Sequence, residues 1–120
     1  EKTMNYVDGY VIAVPSANQE AYRLMAADMA IVFKKHGALS VVENWGDDVP
    51  EGKLTSFTMA VKREESESVV FSWITWPTKA LRDEAWKLIM DEPIMKDNPT
   101  AKLFDGKRMI FGGFRTIVQV

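Results

Sequence analysis

Asp8 interrupts an otherwise apolar run, Tyr6-Val7-Asp8-Gly9-Tyr10-Val11-Ile12-Ala13-Val14. In a strand it shares a face with Tyr6 and Tyr10. A carboxylate so placed needs a partner or a shifted pKa, which makes it a candidate for proton transfer as well as for a structural ion pair. Arg108 and Arg115 are the cations expected to meet it. Glu43 is a second acid set among aromatic residues. Trp45 and Trp73 are expected to line a pocket whose polar tips come from Glu43 or Asn44. With Tyr10, these residues form the candidate pocket. If it is catalytic, Asp8 or Glu43 handles the proton and Arg108 stabilises an anion. The alternative is that the tryptophans pack a core and a subunit seam.

A second candidate is a notch. In Phe104-Asp105-Gly106-Lys107-Arg108-Met109-Ile110-Phe111-Gly112-Gly113-Phe114, an Asp-Gly turn precedes a strand holding a glycine pair. Strand glycines mark a bulge or a close approach of another group. A one-residue bulge would bring Phe111 and Phe114 to one face. If this strand neighbours the first, Gly9, Gly112 and Gly113 form a shallow notch for a ligand or, more economically, for an aromatic side chain.

Other chemistries find little support. No cysteine is present, so disulfides and thiolate chemistry are excluded, and His36 cannot build a metal site alone. Asp47, Asp48 and Glu51, and Glu64, Glu65 and Glu67, lack calcium-loop spacing and read as solvated turns. No phosphate loop or dinucleotide fingerprint occurs. Neither a metal nor a cofactor is therefore expected. A net charge of −2 and short basic spots argue against nucleic acid. No apolar run approaches the roughly 18 residues of a membrane span, and a cytoplasmic location is expected.

The elements that must position these residues follow from periodicity. Tyr6 to Val14 is a strand with both faces apolar. Ser16 and Gln19 have capping-box spacing, opening a helix with Tyr22, Met25, Met29, Val32 and Phe33 on one face. Lys34, Lys35 and His36 complement its dipole and Gly37 stops it. Ala38 to Trp45 is a strand. Phe57 to Lys62 and Ser68 to Trp76 are expected to form a hairpin around a charged turn. Thr78 caps a second helix with a buried stripe of Leu81, Ala85, Leu88 and Ile89, and Arg82 stands one turn before Trp86. Asp91-Glu92-Pro93 breaks it, Ile94 to Asp97 adds a turn, and the last strand runs from about Arg108 to Val118.

The order is β-α-β-β-α-β, an α+β ferredoxin-like antiparallel sheet with its helices on one face. One domain spans residues 4–120, with residues 1–3 a remnant ahead of Met4. Apolar residues at both parities imply a covered second face, and the economical cover is another copy of the chain in a homodimer.

Tyr6-Val7-Asp8-Gly9-Tyr10, Glu43-Asn44-Trp45-Gly46-Asp47-Asp48-Val49-Pro50, Val70-Phe71-Ser72-Trp73-Ile74 and the run from Phe104 to Phe114 together resemble the YbaA-like family of small bacterial proteins, a domain family of unknown function. The resemblance covers nearly the whole chain from Met4. It implies a dimeric α/β-barrel fold and carries no catalytic residue across. The wider superfamily includes cofactor-free monooxygenases, isomerase-like enzymes, stress-response proteins and haem-degrading enzymes that use an Asn, a Trp and a His. Asn44, Trp73 and His36 supply those residue types here without matching that pattern. The leading expectation is a homodimer that binds a small, aromatic or apolar molecule; the alternatives are a non-catalytic interaction dimer and a cofactor-free enzyme.

Overall fold

The β-branched and aromatic runs form four strands: β1 (Tyr6–Pro15), β2 (Ser40–Trp45), β3 (Glu67–Trp76) and β4 (Ile110–Arg115). Between them lie α1 (Gln19–Lys35), α2 (Phe57–Ala60), α3 (Lys79–Ile89) and α4 (Pro93–Lys96). The computed structural model describes residues 4–120, so the remnant expected at residues 1–3 lies outside the described residues. The sheet order is β2-β3-β1-β4 with every neighbour antiparallel, which makes the first and third strands central. The fold is α+β and ferredoxin-like.

Pairing fixes which side chains share a face. Ile12 and Val14 of β1 pack with Val70 against Tyr22 and Ala26 of α1. Ile74 and Trp76 of β3 pack against Phe33, Ala85 and Ile89, so α1 and α3 cover the same face. The opposite parity, Val11, Ala13 and Val69, meets Val61 on the other side of the sheet.

That contact explains one departure from expectation. Phe57–Ala60 is helical, not a strand, because the Ser56 hydroxyl caps it by accepting from the Met59 N–H at 3.1 Å. The turn then delivers Val61, fully buried, onto the far face. A local cap and one buried anchor outweigh the β preference of a few residues. The hairpin partner of β3 is accordingly β2.

The start of α1 differs as well. Ser16–Asn18 forms a 3₁₀ turn, and α1 begins without a side-chain cap. The Ser16 hydroxyl is drawn away to the Ser68 hydroxyl, 2.7 Å distant, so the expected capping box does not form. Gly37 takes the left-handed conformation, φ 108°, that stops the helix. Thr78 caps α3 by accepting from the Leu81 N–H at 3.1 Å.

The buried stripe of α3 is rotated from the expected one. Ala85 and Ile89 are buried, but Leu88 is 57% exposed and Leu81 also reaches solvent. Arg82 and Trp86 turn inward instead, because a buried group on the sheet binds both.

Candidate functional site

That group is Asp8, 4% exposed. Its Oδ1 accepts from Arg82 Nη2 at 2.7 Å and Nε at 3.0 Å. Its Oδ2 accepts from the indole N–H groups of Trp76 and Trp86 at 2.9 and 3.0 Å. Arg82 also lies over the Tyr6 ring, 5.2 Å from its centre. Both carboxylate oxygens are occupied by donors from a strand and a helix, an arrangement that fastens α3 to the sheet and does not present a free base.

Arg108, expected beside Asp8, lies elsewhere. It donates to Glu67 at 2.6 and 2.7 Å, to Asp105 at 3.1 Å and to the Lys62 carbonyl at 2.9 Å. Glu67 is therefore buried and paired, not solvated with its neighbours. Arg115 stands opposite Tyr6 in the register.

The glycines do not make a single notch. β1 and β4 pair without interruption from Val11–Ile110 to Tyr6–Arg115, so no bulge forms and Phe111 and Phe114 occupy opposite faces. Gly9 and Gly112 are partners, and the Phe114 ring covers both, 3.4 and 3.5 Å from where their Cβ atoms would stand. Gly113 pairs with Asp8 on the helix-covered face, beneath the Tyr6 hydroxyl and Arg82. The Asp-Gly turn forms without a left-handed Gly106; Asp105 shapes it by accepting from the Lys107 N–H at 3.0 Å.

A half-open cavity of about 230 Å³ lies between the helices and the sheet. Its floor is a row across three strands, Glu43 of β2, Ser72 of β3 and Tyr10 of β1, aligned by the register. Tyr22, Met25, Met29 and Phe33 of α1 and Trp86 of α3 form the walls. Met95, Thr100, Phe104, Gly106 and Met109 close one end, so the last segment before β4 contributes its backbone turn and apolar side chains rather than Arg108. Asn18 ties that segment to α1 through the Leu103 carbonyl at 3.0 Å.

Glu43 is the cavity's carboxylate. It sits on the edge strand β2 and is exposed to solvent on one side, while on the other the Tyr22 hydroxyl donates to its Oε1 at 2.7 Å. Desolvation pushes its carboxyl above the ordinary value, while hydrogen bonds from Tyr22 and Ser72 work the other way. Burial first, then the charge of Asp8, raises the Tyr10 phenol. Burial and Glu43 raise that of Tyr22. Both phenols therefore remain hydrogen-bond donors at neutral pH. Tyr22 and Glu43 also border an outer groove of about 360 Å³, lined by Gln19, Glu20, Arg23, Asn44 and Trp45.

Of the residues singled out in the sequence, Tyr10 and Glu43 line the cavity. Trp45 lies in the outer groove against Tyr22, with ring centres 6.2 Å apart. Trp73 is on the opposite face of the sheet, stacked edge-on to Phe71 at 5.3 Å, so the two tryptophans do not share a pocket. Asp8 stands behind the wall, does not line the cavity, and is hydrogen-bonded to the lining residue Trp86. Tyr22 and Ser72 were missed as polar groups: one lies within an apolar helix stripe and the other within a strand, and only the register places both beside Glu43. Asn44, Trp73 and His36 are not assembled. Asn44 bonds the Phe71 carbonyl at 2.9 Å, and His36 bonds Glu92 at 2.6 Å at the end of α1. Among the described residues no group of three His, Asp or Glu side chains is arranged to hold a metal, and no helix is long and apolar enough to cross a membrane.

YbaA of Escherichia coli strain K12, described as uncharacterised, is 56% identical over 116 residues, covering 97% of this chain and 99% of its own. A dimeric ferredoxin-like protein from an uncultured marine organism superposes with a TM-score of 0.61 at 9% identity, covering 98% of this chain and 91% of its own. SnoaB, a cofactor-independent oxygenase from Streptomyces nogalater, superposes with a TM-score of 0.57 at 15% identity, covering 98% and 96%. At such identities these two likenesses concern the fold alone. The family described as "Protein of unknown function (DUF1428)" matches residues 5–106, and the chain belongs to that family.

Proposed function

We propose that the protein is a homodimer that binds a small, largely apolar molecule in the cavity between α1, α3 and the sheet. The observation that carries this reading is an apolar space of about 230 Å³ with one carboxylate, Glu43, at its edge-strand side. Packed solid, the same elements would have favoured a purely structural dimer. If turnover occurs there, Glu43 is the group that takes up and returns a proton, its raised pKa bringing it nearer to neutrality. Asp8 and Arg108 serve the frame instead, since their partners occupy them.

The dimer is supported by the far face of the sheet. Its α2 end is covered by Val61, but Phe71 and Ile110 remain substantially exposed and Phe114 is 61% exposed. A relative of the same fold is described as dimeric. The reading includes a cytoplasmic location, which cell fractionation would check.

Native mass spectrometry of the purified protein, followed by calorimetric titration with 1-naphthalenemethanol, tests the cavity. Binding is expected, and Ala26→Phe, which projects a ring from α1 into the space, should abolish it. Undiminished binding by a folded Ala26→Phe protein would place the ligand elsewhere and overturn the reading.

A further inference from the structure

The walls of this cavity are selective in charge. Five aromatic side chains surround it: Tyr10, Tyr22, Phe33, Trp86 and Phe104. Among the described residues Glu43 is the one carboxylate in its lining, and no lysine, arginine or histidine lines it. The guanidinium groups in the surrounding shell are committed to other carboxylates: Arg82 to Asp8, Arg108 to Glu67 and Arg23 to Glu20. An anionic ligand would bring a second negative charge beside Glu43 with nothing to offset it. A neutral ligand would cover the Glu43 carboxylate without supplying a charge to replace the water it displaces. A cation answers both conditions. Its charge pairs with Glu43, and the faces of the surrounding rings attract it as well.

Resting on the reading of the cavity as a small-molecule site, we propose that its ligand is a protonated organic amine with an apolar body, the ammonium on Glu43 and the hydrocarbon against the rings and methionines of α1. Tyr22 holds Glu43 through Oε1, orienting the carboxylate toward the row of Ser72 and Tyr10. The thioethers of Met25 and Met29 are soft and conformationally adaptable, suited to a flat hydrocarbon body. The outer groove does not cancel this selectivity, because Glu20 and Arg23 neutralise one another there at 2.6 Å.

Three probes with one ring system separate the alternatives: 1-naphthylmethylamine, 1-naphthalenemethanol and 1-naphthoate, titrated calorimetrically near neutral pH. The amine is expected to bind about tenfold or more tightly than the alcohol, the scale of one hydrogen bond to a charged group, and the carboxylate not to bind measurably. Glu43→Gln should bring the amine down to the alcohol's affinity, and retained alcohol binding shows that the variant is folded. Equal affinities of amine and alcohol in the unaltered protein overturn the amine assignment while leaving the cavity reading intact. Binding of none of the three removes the cavity reading and this inference together.

Discussion

Asp8 and Arg82 are joined across 74 positions of sequence by hydrogen bonds of 2.7 and 3.0 Å from two of the three guanidinium nitrogens, Nη2 and Nε, with the indoles of Trp76 and Trp86 closing the other carboxylate oxygen. The pair fixes the rotation of α3 and hence the wall that Trp86 presents to the cavity. Removing the charge from one partner leaves the other poorly satisfied in a low-dielectric setting. Asp8→Asn should therefore cost about 3 kcal/mol in urea denaturation, where an active-site residue would lose binding without loss of stability. A change below about 1 kcal/mol would show that the network is a surface ion pair in energetic terms.

Gly113 and Gly106 should respond oppositely to alanine. A Cβ at Gly113 would meet the Tyr6 hydroxyl and come within 2.9 Å of Arg82 Nη2, whereas one at Gly106 meets nothing within 4 Å. Gly113→Ala must displace the Asp8–Arg82 cluster and should lose about 1–3 kcal/mol. Gly106→Ala, with its backbone already in an ordinary conformation, should stay within about 0.5 kcal/mol of the parent. Thermal melts of the two variants check the contrast, and equal melting temperatures would refute it.

How much was legible follows from the range of each interaction. The two long helices and the apolar second face come from periodicity, which local residues set, and the sheet order follows from the β-α-β-β-α-β sequence of elements. The end of α1 at Gly37 and the cap at Thr78 are equally local. The helical turn at Phe57–Ala60 has a local cause in the Ser56 cap, but the packing of Val61 against Val11, Ala13 and Val69 that decides it is tertiary. Asp8 was recognisable as needing a partner, but four-stranded connectivity suggested the neighbouring strand and the answer lay on α3. Tyr10 and Glu43 were recognisable by type; their meeting with Ser72 depended on register.

Arg108 and Glu67 give the protein an acid-sensitive clip. The guanidinium hydrogen bonds hold the Glu67 carboxyl below its ordinary value, with burial opposing. A depressed folded-state pKa contributes stability above the unfolded value, about 4.3, and that stability disappears as pH falls through the folded one. Arg108→Gln should lower stability near neutral pH, and the gap from the parent should narrow as the pH is lowered below about 4. Denaturation at a series of pH values reads this directly; a gap independent of pH would mean that Arg108 acts by packing alone.

The exposed half of the far sheet face gives a test of assembly. Ile110 and Phe71 lie in one row across Val11, and both are substantially exposed. Ile110→Glu puts a charge in the centre of the apolar strip while keeping clear of α1 and α3. The parent should scatter light as a dimer and the variant as a folded monomer, since burying an unpaired charge in an interface is costly. A parent that is monomeric at micromolar concentration would end the dimer reading.

Glu43 should be a site where binding and stability oppose one another. Its folded pKa is raised, chiefly by desolvation, so the native state takes up a proton more readily than the unfolded chain. The sign is the reverse of Glu67: lowering the pH through the raised value favours the native state, and ionisation above it is penalised. Glutamine keeps an oxygen that can accept from Tyr22 at the position now bonded at 2.7 Å, and it carries no charge to desolvate. Glu43→Gln should consequently match or exceed the parent in stability at pH 8 and lose that advantage toward pH 4. Melting temperatures of the two proteins across that range measure it. A variant less stable at every pH would show that the carboxylate stabilises the fold, which would remove the main physical reason for regarding Glu43 as a functional group.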